Sequence, residues 1–322
     1  MTPILVLLAV GATGVTSYDL ASFFSKKFLA LGITGVDIHK LDRPVRAEMG
    51  GLSVLLAVSL GAGLMIAFDS DRSFLFFAGV GTVALAGLVG VADDKFELRQ
   101  RDKTVLVAAA SVLLGLALAK SQSVYFPVIG SVPFGLLYPL LVVPVAITSA
   151  ANFSNMLAGF NGLEAGIAAI SVGVMTALSA LTGSTDGALL GVILLVAYVG
   201  FLVMNWYPAK IFPGDTGTLM FGAGVAAIGL IAHLEIAAIV LFMPAALDFA
   251  LKMASKSPFG QRRVYGNTQV NKDGTLAPAN YPALVHAFMR VAPTTERTLV
   301  LSVLAMEGLY ACLAVAVTFV HF

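Results

Sequence analysis

Residues 152–164 read Asn152-Phe-Ser-Asn155-Met-Leu-Ala-Gly159-Phe-Asn161-Gly-Leu-Glu164, a polar island between two long apolar runs. Three amides and one carboxylate offer hard oxygens and N–H donors, and the glycines let a ligand approach the backbone. Other islands join it. Val91–Lys103 holds the adjacent pair Asp93 and Asp94, with Lys103 downstream. Neighbouring carboxylates repel, so they persist where a metal ion, lysine or arginine offsets them; an ordinary charged interfacial loop is the alternative reading. Ile211-Phe212-Pro-Gly214-Asp215-Thr216-Gly217 sets one aspartate at a helix start. There it is either a simple cap or part of an anion site. The stretch 255–297 carries Arg262-Arg263, which could clamp phosphate or serve only as topology determinants. It also carries Asn271-Lys-Asp273-Gly274-Thr, whose Asp-Gly predicts a short β-hairpin. Residues 37–51 mix Asp37, His39, Lys40, Asp42, Arg43, Arg46 and Glu48.

The elements that must position these groups are membrane spans. The chain is 58% hydrophobic and 11% charged, with mean hydropathy +0.93, against roughly 25% charged residues in soluble domains. Net charge +1 gives no field that would gather nucleic acid. The one cysteine, Cys312, excludes a disulfide framework. The first twenty residues lack a basic leader and read as a span. At about 20 apolar residues each, about ten spans are expected: 3–24, 49–68, 73–92, 104–120, 133–150, 164–182, 188–207, 216–233, 235–254 and 298–320. The fold class is therefore an all-α integral membrane protein, residues 1–322 forming one polytopic domain.

Charge sorts the loops. Those after odd-numbered spans hold 17 of the 19 basic residues; only Arg72 and Lys120 fall on the other side. Positive charge marks the cytoplasmic face, so both termini face outward. The functional loops 25–48, 92–103, 151–163, 208–216 and 255–297, hairpin included, then face the cytoplasm. The Asn152-Phe-Ser154 glycosylation acceptor is on the wrong side to be used. Outer loops are short and bland. Asp19 and Glu307, near span ends, are read as structural.

Carboxylates and amide oxygens suit Mg²⁺, and lysine and arginine suit phosphate oxygens. Together they describe a Mg²⁺-dependent diphosphate site at the inner membrane surface, acting on a substrate that meets a lipid. Asp93-Asp94 with Lys103, Asn152-x-x-Asn155-x-x-x-Gly159-x-Asn161-Gly162-Leu163-Glu164, and Phe212-x-Gly214-Asp215-Thr216 resemble the signatures of the polyprenyl-phosphate N-acetylhexosamine-1-phosphate transferases. The Asn-Gly-Leu-Glu form is most similar to the dolichyl-phosphate GlcNAc-1-phosphate transferases that start N-glycan assembly. Two departures are plain: Glu97 stands where the family has asparagine, and Arg262-Arg263 lacks the family's intervening histidine.

The resemblance implies UDP-GlcNAc and a polyprenyl or dolichyl phosphate as substrates, Mg²⁺ (alternatively Mn²⁺) as cofactor, and UMP as product. It implies Asn155 and Asp215 as metal ligands. Asn161, Phe212, Gly159 and Ile38 would surround the uracil, with Glu48 near the uridine. Arg262 or Arg263 would grip the diphosphate, and Lys103 would meet a phosphate, positioned with the metal by Asp93 and Asp94. Glu164 would order the turn, and Asn152 belongs to the substrate-binding island. The prenyl tail is expected along the ninth span, near Pro244 and Asp248. A homodimer is compatible with this reading. The membrane would be the plasma membrane of a prokaryote or the endoplasmic reticulum of a eukaryote. The alternatives are a bacterial-type undecaprenyl-phosphate hexosamine-1-phosphate transferase and, in another class, a secondary transporter. A transporter would put its polar groups near the bilayer midplane and show paired repeats.

Overall fold

The computed structural model describes residues 3–68, 73–121, 123–126, 129–254, 268–279 and 281–320. Its helices are α1 (Pro3–Leu31), α2 (Gly51–Phe68), α3 (Phe74–Phe96), α4 (Gln100–Ala117), α5 (Val143–Met156), α6 (Leu163–Leu181), α7 (Thr185–Asn205), α8 (Gly214–Ala232), α9 (Glu235–Ala254), α10 (Leu284–Val291) and α11 (Glu296–Phe319). A wider helical turn, Tyr138–Val142, leads into α5. Lipid cannot satisfy open backbone groups, so apolar runs of this length close their hydrogen bonds within helices.

Among the described residues nine helices are long and apolar enough to cross a membrane, and the protein is an all-α integral membrane protein. The expected span 104–120 also forms a helix, α4, but that helix starts earlier and takes in Arg101, Asp102 and Lys103. Its first turn belongs to the polar site. Polar caps mark other helix starts: Ser73 Oγ accepts from Phe76 N at 3.2 Å and Thr295 Oγ1 from Thr298 N at 3.3 Å.

Helix α8 is the axis of the bundle, buried along nearly its whole length. Helices α3 and α5 pack most extensively on it, and α2, α6, α7 and α9 also contact it. Two glycines let the neighbours reach its first turn. A Cβ on Gly51 would lie 2.1 Å from Gly217 N, and one on Gly90 would lie 2.4 Å from Thr216 Cα. Both are far inside contact distance, so α2 and α3 meet the start of α8 backbone to backbone.

Three small hairpins decorate the bundle: β1 (Thr34–Val36) with β2 (Val45–Ala47), β3 (Ser123–Phe126) with β4 (Gly130–Pro133), and β5 (Gln269–Val270) with β6 (Leu276–Ala277). The last is the hairpin expected around Asp273-Gly274, closed by Asn271 N to Thr275 O at 2.8 Å. The β3–β4 hairpin corrects the expectation of bland outer loops. Its strand Ser123–Phe126 is short and follows Lys120-Ser121, which reads as a turn. Strand β2 runs on into the segment before α8: Phe212 N donates to Ala47 O at 2.9 Å, and Gly50 N to Phe212 O at 2.8 Å. The loop between α1 and α2 and the start of α8 are thus one unit.

Candidate active site

Four helix ends converge. Asp93 and Asp94 occupy the last turn of α3, which stops at Glu97 in a left-handed conformation whose N–H returns to Asp93 O at 2.8 Å. Lys103 comes from the first turn of α4, Asp215 from the first turn of α8, and Asn155 from the last turn of α5. Buried Lys103 Nζ donates to Asp93 Oδ2 at 2.5 Å and Asp215 Oδ2 at 2.6 Å. Asn155 Nδ2 donates to the same Asp215 oxygen at 3.3 Å, and Asn155 Oδ1 accepts from Thr218 Oγ1 at 2.9 Å. One ammonium thus bridges two of the three aspartates, which offsets the repulsion inherent in such a cluster.

Asp94 does something different. Its Oδ1 accepts from Asp215 N at 2.6 Å, and its Oδ2 from Thr216 N at 3.1 Å and Thr216 Oγ1 at 2.7 Å. It caps α8 from another helix, where free N–H groups and the helix dipole favour an anion. Asp215 is therefore not the cap, and its carboxylate is turned to Lys103 and Asn155.

Beside this cluster lies a cavity of about 300 Å³ whose lining includes Ile38, Glu48, Gly159, Asn161, Phe212 and Asp215, together with Asn155 and Glu164. Eight residues singled out in the sequence, from three separate segments, meet there. Glu164 Oε1 accepts from Gly159 N at 2.6 Å and orders the turn between α5 and α6. Asn161 was expected to hold a base, but its amide is already committed. Oδ1 accepts from Ala209 N at 2.6 Å, while Nδ2 donates to Glu296 Oε1 at 2.6 Å and Asp37 Oδ2 at 3.2 Å. Its contribution to the cavity is as wall. Glu48 also borders a recess of about 350 Å³ shared with Asp93, Asp94 and Asp215. Burial, and then the nearby Asp94 charge, raise the Glu48 carboxyl above the usual range.

Asn152 lies apart from the cavity: its Nδ2 donates to Thr148 O at 2.8 Å and its Oδ1 accepts from Gln100 Nε2 at 2.6 Å, tying α5 to the first turn of α4. Arg262 and Arg263 lie outside the described residues. Asp248 is not a groove wall as expected. Its Oδ1 accepts from Leu284 N at 2.8 Å, and its other oxygen pairs with Lys252, which donates to Met156 O at 2.7 Å. Two polar clusters went unread in the sequence: Lys40 with Asp37 and Glu296, and Tyr138 with Glu235. A lone glutamate before an apolar span carries no spacing signal toward a lysine 256 residues earlier.

An apolar groove of about 520 Å³ runs between α5 and α9, with Leu141, Val145, Phe153, Ile239, Phe242 and Met243 among its walls. The β3–β4 hairpin contributes Val124 and Phe126 at one end. At the other, Phe153 is within one turn of Asn155, so the groove ends beside the polar cluster.

The model of glycosyl transferase family 4 matches residues 76–233, the segment from α3 to the end of α8. The chain is 30% identical over 294 residues to a Sulfolobus acidocaldarius protein provisionally named UDP-N-acetylglucosamine–dolichyl-phosphate N-acetylglucosaminephosphotransferase, covering 88% of this chain and 87% of that one. It is 25% identical over 359 residues to the Dictyostelium discoideum protein of that name, covering 96% and 87%. It is 30% identical over 233 residues to the phospho-N-acetylmuramoyl-pentapeptide-transferase of Anoxybacillus flavithermus, covering 66% and 70%. The chain belongs to glycosyl transferase family 4, a family of membrane-embedded transferases as this fold embodies it.

Proposed function

We propose that this protein transfers GlcNAc-1-phosphate from UDP-GlcNAc to a polyprenyl phosphate of the dolichyl type, releasing UMP and forming a lipid diphosphate sugar for N-glycan or related glycoconjugate assembly. The observation that carries this reading is one junction. A cluster of Asp93, Asp94, Lys103, Asp215 and Asn155 borders a polar cavity, and the end of α5 that carries Asn155 also carries Phe153 of an apolar groove. A nucleotide sugar and a prenyl chain are the two ligands that such neighbours suit.

The donor set at the cluster consists of carboxylate and amide oxygens with no sulfur or imidazole, which fits Mg²⁺ or Mn²⁺. Asp215 and Asn155 would hold the ion, Asn155 by turning its Oδ1 from Thr218, with Asp93 beside them. When bound, the ion neutralises charge on the donor diphosphate and on the leaving UMP. The rest falls to the chain's own groups. A lipid phosphomonoester with a second pKa of about 6 is largely a dianion at pH 7 and needs little help from a base. It needs relief from repulsion and an in-line approach to the β-phosphorus. Lys103, held by Asp93, supplies positive charge where the two phosphates meet. Asp94, already accepting three hydrogen bonds from the start of α8, is a poor nucleophile, which favours direct attack by the lipid phosphate. Ile38, Gly159 and Phe212 would line the uracil end, with Asn161 behind them as wall and Glu48 toward the ribose. Arg262 and Arg263 are proposed for the diphosphate, and Asn152 for the mouth of the acceptor site. Cytoplasmic loops with outward termini follow from the charge sorting.

Purified protein with UDP-GlcNAc, Mg²⁺ and a polyprenyl phosphate should release UMP and form the lipid diphosphate sugar. No UMP with any lipid acceptor overturns the reading. Turnover only with undecaprenyl phosphate and another UDP-hexosamine would move it to the bacterial type.

A further inference from the structure

The inner face holds a second buried charge cluster outside the acid-and-lysine centre. Glu296 opens α11 and is 3% exposed; Asp37 in the first inner loop is 2% exposed. Lys40 Nζ donates to both, at 2.9 Å to Glu296 Oε2, and its ammonium also sits 4.7 Å from the Tyr207 ring centre. Ligand atoms of Asp37, His39 and Glu296 lie within 4.8 Å of one another, close enough to share a cation. That cation is already present as Lys40, so the cluster is a knot and not a metal site.

What the knot grips is Asn161. Glu296 Oε1 accepts from Asn161 N at 2.8 Å and from Asn161 Nδ2 at 2.6 Å. Asp37 takes the same amide from the other side, and Ala209 N donates to its Oδ1. The residues flanking these anchors, Val36, Ile38 and His39 on one wall and Gly159 and Phe160 on the other, line the polar cavity, with His39 stacked on Phe160 at 4.2 Å. Buried ion pairs add little net stability compared with apolar packing, but they fix register. Here the register is that of both cavity walls.

We infer that Glu296 is a positioning residue for the nucleotide end of the donor, acting through Asn161. This rests on the transferase reading above. The test compares full-length wild type with Glu296→Ala, Glu296→Gln and Lys40→Met. Initial rates of UMP release are measured against UDP-GlcNAc and against lipid acceptor, with UMP binding measured separately by calorimetry. Removing the acceptor for two buried N–H groups should raise KM for UDP-GlcNAc and weaken UMP binding about tenfold in Glu296→Ala. kcat and the acceptor KM should stay within about threefold. Glu296→Gln keeps the oxygen that Asn161 needs but turns an amide N–H₂ toward Lys40, so it should recover part of the loss, whereas a structural defect would not be rescued so selectively. Lys40→Met should fall between them. Unchanged KM and UMP affinity overturn the inference, as does a parallel fall in kcat and both KM values. If Glu296→Ala does not fold, the same split read on Lys40→Met, with Glu296→Gln compared beside it, decides. A wild type that releases no UMP sinks the transferase reading instead, while UMP binding still scores Glu296.

Discussion

In the proposed transfer, Lys103 is the residue on which most of the chemistry turns. It is buried, yet bonded to two carboxylates, so it stays charged where a developing phosphate charge needs it. Lys103→Met should cut kcat about 10²- to 10³-fold, as expected for one preorganised electrostatic contact, with UMP release as the readout. Glu48 offers a pH handle. Its carboxyl is raised by burial and by Asp94, so the folded protein binds that proton more tightly than the unfolded chain does. The charged form therefore costs stability at high pH, and the cost fades as pH falls through the raised value. Glu48→Gln should unfold at a higher temperature than wild type at pH 8, with the gap closing toward pH 5. A thermal-melt series across that range checks the sign. At this scale the sequence was informative wherever residue type and local spacing carried the signal. Asp93, Asp94, Lys103, Asn155 and Asp215 do meet. It was silent on Asp37, Lys40 and Glu296, because their partnership is made by packing and leaves no periodicity in the chain.

The elements explain why the carboxylates stay apart in role. Asp94 is spent on the start of α8, while Asp93 and Asp215 share Lys103. The seam that allows this is made by Gly90 and Gly51, each against the first turn of α8. Gly90→Val should force α3 away from Thr216 and destabilise by about 1–3 kcal/mol or more. It should lower the melting temperature in detergent and reduce activity together. The hydropathy pattern placed most spans to within a few residues, but α1 runs past its expected end at 24, through Lys26 and Lys27 to Leu31, and the expected start of the fifth span at 133 lies in β4, with the helical part beginning at Tyr138. It also missed the start of α4, where charged residues sit inside a helix because Lys103 is turned into the polar site and not toward lipid. The β3–β4 hairpin was missed for the opposite reason: four-residue strands over one apolar groove give too short an alternation to read.

For the whole molecule, the proposed transfer makes the groove between α5 and α9 the place where a lipid acceptor would be met. From Leu141 to Phe153 its α5 wall is about 18 Å long at helical rise. Such a wall contacts only the head-proximal part of a long prenyl chain. Ala246→Trp, a large side chain in this groove, should raise KM for the lipid phosphate about tenfold and leave KM for UDP-GlcNAc unchanged, the loss expected for shutting a few apolar contacts. Initial rates at varied acceptor concentration check it.

The knot at Glu296 has a consequence for biosynthesis. Its partner Lys40 leaves the ribosome 256 residues ahead of it, and Asp37 earlier still. At about 5–20 residues per second, that is a wait on the order of 10–50 s. The spans up to α9 can insert in that time, yet Asn161 N–H has no acceptor until α11 arrives. The cavity that Asn161 walls is therefore completed only once α11 arrives. A chain stopped before Glu296 should enter the membrane and still fail to retain UMP.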